Sequence, residues 1–287
     1  MVSGNRAARR AAVLGKPIEH SLSPVLHGAA YEALGLEGWR YERIEVTAAE
    51  LPELVGGLGP EWAGLSVTMP GKRAALEFAS EVTPRAAAVG AANTLVPIEG
   101  GWRADCTDVD GVSGALRAAG GYSGEPGPAL VLGAGGTAAA AVAAIAELGL
   151  RRVRLVVREP ARAADTVGAA RRAGLDTEVL RFSEVDWAAQ TAEAALVIST
   201  VPADAVASHV GALSRAKCLL DVIYHPWPTP LADAVGARGG RLATGLDMLL
   251  HQAFGQVEQF TGMAAPREAM RDALRAATGH IMDLPLA

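Results

Sequence analysis

Apolar positions alternate between two textures along the chain. Short β-rich runs at Ala11–Gly15, Arg40–Val46 and Gly64–Thr68 read as strands. Between them lie amphipathic stretches that open on cap signals. Ser23-Pro24 is expected to cap a helix running to about Leu34, with Gly35 as its stop; proline suits the first helical turn, where its missing N–H has no partner anyway. Thr47-Ala-Ala-Glu50 has the spacing of a capping box and predicts a second helix. Asn93–Ile98 and Trp102–Cys106 read as a hairpin about Gly100-Gly101. Strand and helix in turn require crossover units and predict a mostly parallel sheet.

The alternation breaks at Gly120–Pro128, a segment dense in turn formers, and then restarts. Strands are expected at Ala129–Gly133, Val153–Val157, Ala195–Thr200 and Lys217–Val222. Two helical stretches, Leu246–Thr261 and Pro266–Ala277, close the chain with no strand between them. Two bare helices cannot enclose a core, so they must pack on something else, and the first domain is the candidate. The predicted fold is therefore α/β with two domains. Residues 1–111 and 246–287 form a substrate domain with a mostly parallel sheet, and 112–245 form a Rossmann-like dinucleotide domain.

Composition narrows the classes. At 287 residues and 50% apolar, the chain has material for one large or two medium cores and is not disordered. A net charge of −5 does not mark a nucleic-acid or anionic-membrane binder. Two cysteines, Cys106 and Cys218, supply neither a disulfide framework nor a four-cysteine zinc site, and fit a reducing cytoplasm. The amino-terminal Met-Val-Ser-Gly-Asn-Arg-Ala-Ala-Arg-Arg is basic, but the apolar run after it is too short for a signal peptide. Six scattered histidines have no metal spacing, so no metal is expected.

The strongest local signal is Ala129-Leu-Val-Leu-Gly133-Ala134-Gly135-Gly136-Thr137-Ala138. A buried strand runs into Gly-x-Gly-x-x-Ala and then into an alanine-rich helix. One glycine permits the tight turn, the next lets backbone approach a pyrophosphate, and the helix start offers free N–H groups to the anion. The following strand ends in Arg158-Glu159-Pro160-Ala-Arg162. Two guanidinium groups there favour the 2′-phosphate of NADP, whereas Glu159 would suit the 2′-hydroxyl of NAD. In the first domain, Ser21, Ser23, Thr68, Lys72, Asn93 and Asp108 all fall near strand ends, where ligands bind in open α/β sheets. Singly, each has a plainer reading as a cap, a turn residue or a solvated charge.

Taken in order, these motifs resemble those of the shikimate dehydrogenase family over nearly the whole chain. Ser21-x-Ser23-Pro24, Ser66-Val-Thr68-Met-Pro-Gly-Lys72, Gly90-Ala-Ala-Asn93-Thr, Thr107-Asp108 and Gly133-Ala-Gly135-Gly136 match its blocks, as do Tyr224-x-Pro-x-x-Thr229-Pro230 and Gly245-Leu-x-Met248-Leu-x-x-Gln252. Ser66 and Cys106 stand where the family carries Asn, and Val157 and Glu159 where its NADP block carries Asn and Thr. The resemblance implies reversible reduction of 3-dehydroshikimate by NADPH. It gives Ser21 and Ser23 the substrate carboxylate and makes Lys72 and Asp108 a catalytic pair. It gives ring contacts to Thr68, Asn93, Tyr224 and Gln252, and it adds Thr200 and Gly245 to the expected cofactor set. Two alternatives stay open: a quinate- or NAD-using relative, and a non-catalytic dinucleotide sensor. A small-molecule substrate is expected, with no nucleic-acid or membrane partner, in a monomer or homodimer.

Overall fold

A computed structural model describes residues 8–286, so the first seven residues of the basic amino terminus lie outside it. The chain divides into two compact units. Of the described residues, 8–87, 91–107 and 253–283 form the first, and 88–90, 108–252 and 284–286 the second.

The first unit carries β1 (Arg10–Gly15), β2 (Arg40–Glu45), β3 (Trp62–Val67), β4 (Glu81–Val82), β5 (Thr94–Ile98) and β6 (Gly101–Asp105). They form one sheet in the order β2-β1-β3-β5-β6-β4. Three neighbour pairs are parallel, and β5 makes the two antiparallel pairs, with β3 and with its hairpin partner β6. This arrangement brings the carboxyl ends of β1, β3 and β6 and the amino end of β5 to one edge.

Each face of that sheet has its own cover. Leu14, Leu65 and Leu95 pack with Leu51 and Val55 of the helix Leu51–Gly56 and with Ala75 of the helix Lys72–Phe78. On the other face Ala11, Ala63 and Val96 pack against Phe260, from the helix Gly245–Thr261. Gly64 permits this contact, because a Cβ there would lie 2.1 Å from the Phe260 ring. The helix Arg267–Ala277 packs on the helix Ser23–Ala33. The strand-free C-terminal stretch from Ala253 to Asp283 thus completes the first unit.

The second unit carries β7 (Ala129–Leu132), β8 (Arg152–Val157), β9 (Asp176–Arg181), β10 (Leu196–Ser199), β11 (Cys218–Asp221) and β12 (Arg241–Thr244). All pairs are parallel, in the order β12-β11-β10-β7-β8-β9. This is the doubly wound dinucleotide order, with its switch point between β7 and β10.

Some sequence expectations need correction. Ser23 does not cap its helix. It is the first helical residue, and its N–H donates to Ser21 Oγ at 3.3 Å, so the hydroxyl that meets a helix-start amide belongs to Ser21. In the Thr47–Glu50 box, Glu50 Oε2 accepts from the Thr47 N–H at 2.9 Å, yet the helix starts only at Leu51, later than the spacing suggests. Gly120–Pro128 is a docked connection inside the second unit, where Tyr122 is buried and Arg241 donates to the Gly121 carbonyl at 2.6 Å. Strands β4, β9 and β12 had no counterpart in the sequence reading.

Candidate functional site

In the second unit, the glycine loop leaves β7 at the switch point. Gly133 has φ +103°, and a Cβ on it would meet Thr200 Oγ1 at 2.5 Å, so only glycine fits both the backbone and the neighbour. Thr200 donates its hydroxyl proton to the Leu132 carbonyl at 2.8 Å, and Thr166 donates to the Ala134 carbonyl at 2.9 Å. The loop is therefore held from both sides before any ligand arrives. Gly135 is the N-cap of the helix Gly136–Glu147 and brings no side chain to its first amides. Those N–H groups face the end of the sheet where anions bind.

Gly133, Ala134, Gly135, Arg158, Glu159, Arg162 and Thr200 line one cavity of about 290 Å³. Gly136, Thr137 and Gly245 do not line it. Gly245 approaches the backbone elsewhere: a Cβ would lie 2.1 Å from the Val222 carbonyl oxygen and 2.8 Å from the Tyr224 ring. Arg158, Glu159 and Arg162 are exposed at the cavity, and among the described residues none is engaged in an ion pair. Glu159 is extended and caps nothing. The sequence reading missed Phe182, which walls the cavity and meets Trp187 edge-on at 4.7 Å. Its signal was faint, one aromatic just past a polar strand. The cradle fits a dinucleotide: a Cβ-excluding turn, uncapped helix amides and two free guanidinium groups stand where a pyrophosphate and a ribose phosphate belong.

In the first unit, Ser21, Ser23, Thr68, Lys72 and Asn93 lie around one edge of the sheet. The loop after β3 is pinned beside the end of β1: the Thr68 N–H donates to Leu14 O at 2.8 Å, and Lys16 N–H to Met69 O at 3.0 Å. Lys72 opens a short helix, its side chain half-buried, and its carbonyl accepts from Ala92 N–H at 2.9 Å, next to Asn93. Helix electrostatics do not explain a cation there, since cations are stabilised at the opposite end. Asn93 is buried; its Oδ1 accepts from Thr107 N–H at 2.8 Å and its Nδ2 donates to Thr107 Oγ1 at 3.0 Å. Arg43 clamps the Ser21 carbonyl at 2.6 and 3.0 Å.

Asp105, also missed from sequence, anchors the turn that leads to Thr107. Its carboxylate takes a two-point pair from Arg85 at 2.5 and 2.7 Å, a hydroxyl from Thr83 at 2.7 Å and an amide from Gln259 at 2.8 Å. Burial alone would raise this carboxyl; the Arg85 and Thr83 hydrogen bonds outweigh it and bring it down to about 2. Asp108, Tyr224 and Gln252 belong to the second unit. Asp108 and Gln252 are buried there, and burial raises the half-buried Tyr224 phenol above its usual range.

His27 sits near Asn93's neighbours as a packing residue rather than a ligand. Burial lowers its imidazole to about 3, against a weaker opposing hydrogen bond with Gln256. The folded-state value lies below the unfolded one of about 6.5, so the stability it carries is present above pH 6.5 and is lost as pH falls toward 3. At pH 4.5 this amounts to about 2–3 kcal/mol. His27→Gln is therefore expected to flatten the acid limb of the melting temperature between pH 6.5 and 4.5. An unchanged slope in calorimetric scans would show that His27 does not set it. Among the described residues, no group of three or more His, Cys, Asp or Glu is placed to hold a metal.

A parallel sheet in dinucleotide order, with its glycine cradle and arginine pair, joined in one chain to a polar substrate-type α/β unit, defines a two-unit dinucleotide-dependent dehydrogenase. The family comparisons agree. Residues 13–95 match the shikimate dehydrogenase substrate binding domain, and 245–275 match the shikimate 5'-dehydrogenase C-terminal domain. A shikimate dehydrogenase (NADP(+)) of Synechococcus sp. is 36% identical over 290 residues, covering 94% of each chain. The crystal structure of Mycobacterium tuberculosis shikimate dehydrogenase superposes with TM-score 0.88 at 57% identity, covering 93% of this chain and 99% of that one. The Thermus thermophilus enzyme in complex with NADP(H) and shikimate gives TM-score 0.77 at 33% identity, covering 94% and 99%. This chain belongs to the shikimate dehydrogenase family.

Proposed function

We propose that the chain catalyses the reversible reduction of 3-dehydroshikimate to shikimate with NADPH. The observation that carries the reading is full-length kinship with NADP(+)-named shikimate dehydrogenases, joined to a cradle whose two free arginines suit a ribose phosphate. When bound, the dinucleotide supplies the hydride, and the rest is positioning and proton handling by the protein. Gly133, Ala134, Gly135, Gly136 and Thr137 would hold the pyrophosphate end, with Thr200 and Gly245 shaping the site around it. Arg158 and Arg162 would bind the 2′-phosphate.

Residues 1–111 and 246–287 are assigned substrate binding, and 112–245 cofactor binding. Ser21 and Ser23 hold the substrate carboxylate beside a helix start. Lys72 holds the proton that the reacting oxygen gains on reduction and takes it back on oxidation. Asp108 is assigned the second proton-handling role. Thr68, Asn93, Tyr224 and Gln252 bind ring hydroxyls; buried polar contacts of this kind reject analogues that lack the matching group.

The reading requires a small-molecule substrate and a dinucleotide, without nucleic acid or membrane, and a monomer or homodimer suffices. No helix among the described residues is long and apolar enough to cross a membrane. Cys106 and Cys218 are buried and neither is in a disulfide, which supports a cytoplasmic setting. Glu159 at the cavity keeps NAD as the second cofactor to measure. Reduction of NADP by shikimate, followed at 340 nm, tests the assignment; a purified, folded chain that gives none refutes it.

A further inference from the structure

Within the first unit, a line of polar groups runs from Tyr41 to Asn93, one of the proposed substrate residues. The Tyr41 hydroxyl donates to Ser66 Oγ at 2.6 Å, and Ser66 Oγ donates to Gln256 Oε1 at 2.8 Å. Gln256 Nε2 donates to the Asn93 carbonyl and to Thr94 Oγ1, each at 3.1 Å. Ser66, Asn93, Thr94 and Gln256 are all buried, so these groups have few water partners to fall back on.

Counting donors fixes the direction of the line. The Asn93 carbonyl can only accept. The single Thr94 hydroxyl proton goes to Asn93 Oδ1 at 2.8 Å, so Thr94 Oγ1 must also accept from Gln256. The Gln256 amide is thereby locked, with Nε2 toward Asn93 and Oε1 toward Ser66. Ser66 then gives its one proton to Gln256 and receives that of Tyr41. The His27 ring holds both ends of this segment. It stacks on Tyr41 at 4.0 Å and 15°, and its Nε2 lies 3.4 Å from Gln256 Oε1.

We propose that Gln256, Ser66 and Tyr41 are positioning residues that hold the Asn93 segment in place, and so fix the amide that recognises a ring hydroxyl. The proposal rests on the shikimate reading above. The relay acts through Asn93 and not by touching the reacting atoms. Its loss is therefore expected in the shikimate KM, with kcat and the NADP KM much less affected.

Three variants test it. Tyr41→Phe deletes one oxygen and leaves the ring on His27. Gln256→Leu removes the amide at nearly constant size, and the third variant combines the two. Each single change is expected to raise the shikimate KM about five- to tenfold, with kcat within about threefold. Because both break one relay, the double variant is expected to be no worse than the weaker-binding single. Ser66→Ala breaks the same link should Gln256→Leu fail to fold, and Ser66→Thr, which keeps the hydroxyl, should restore most of the affinity. Unchanged shikimate KM in folded variants overturns the relay. So do effects that multiply in the double, and so does a parallel loss of kcat and both KM values. Wild-type protein that does not turn over shikimate removes the functional reading itself, and the relay with it; active wild type with unaffected variants removes the relay alone.

Discussion

Lys72→Ala is expected to lower kcat by roughly 10²–10⁴-fold while the shikimate KM stays much closer to wild type. That range corresponds to about 3–5 kcal/mol of transition-state stabilisation, the usual scale for a positioned general acid and base. The site supports the separation of the two constants. Carboxylate binding is assigned to Ser21 and Ser23, which sit at the start of another helix and keep their own contacts when Lys72 is shortened. The backbone contact that ties Lys72 to the Asn93 segment uses its carbonyl, which alanine retains. Lys72→Arg separates charge from proton transfer. Arginine keeps the cation but does not release a proton in this pH range, so it should be nearly as slow as alanine. A fall of less than tenfold in kcat for Lys72→Ala would remove the lysine from the chemistry.

Replacing Arg158 and Arg162 together by alanine is expected to cut kcat/KM for NADP about 10²-fold and to leave kcat/KM for NAD within a fewfold of wild type. Hydrogen bonds from a guanidinium to a charged group are worth about 1.5–3 kcal/mol each, and the exposure of both side chains places the effect at the lower end. The unchanged NAD value is the discriminating half, because a general collapse of the cavity would lower both. Glu159 adds a converse: with the arginines gone it is the remaining charged side chain at that edge of the cavity, and it favours a free 2′-hydroxyl. Equal losses with both cofactors would mean that the pair shapes the cavity instead of reading the phosphate.

The legible parts of this fold are those where one segment carries its own evidence. The strands β7, β10 and β11 are continuous apolar runs buried on both faces, and they stand out in the sequence for that reason. Strand β9, Asp-Thr-Glu-Val-Leu-Arg, is a half-exposed sheet edge whose polar face hides its period, and β12 offers only four residues. Ser23 read as a cap because serine before proline usually is one; in the fold it supplies the amide, and Ser21, two residues back, supplies the hydroxyl.

The glycine cradle and the lysine loop were readable as local motifs. The supports beneath them were not. Ser66 meets Gln256 across 190 residues, and Asp105 meets Arg85 across 20, so no local pattern joins either pair. Gln256 did carry one hint. It lies four residues beyond Gln252, one helical turn on in the same helix, which is where a residue on the same face would stand.

The most direct test of the account is the initial rate of absorbance gain at 340 nm with purified protein, shikimate or quinate as substrate, and NADP or NAD as cofactor. The account predicts rapid reduction of NADP by shikimate, a much lower kcat/KM with NAD, and little turnover of quinate. A folded chain that reduces neither cofactor with shikimate, or one that favours NAD and quinate, would contradict it.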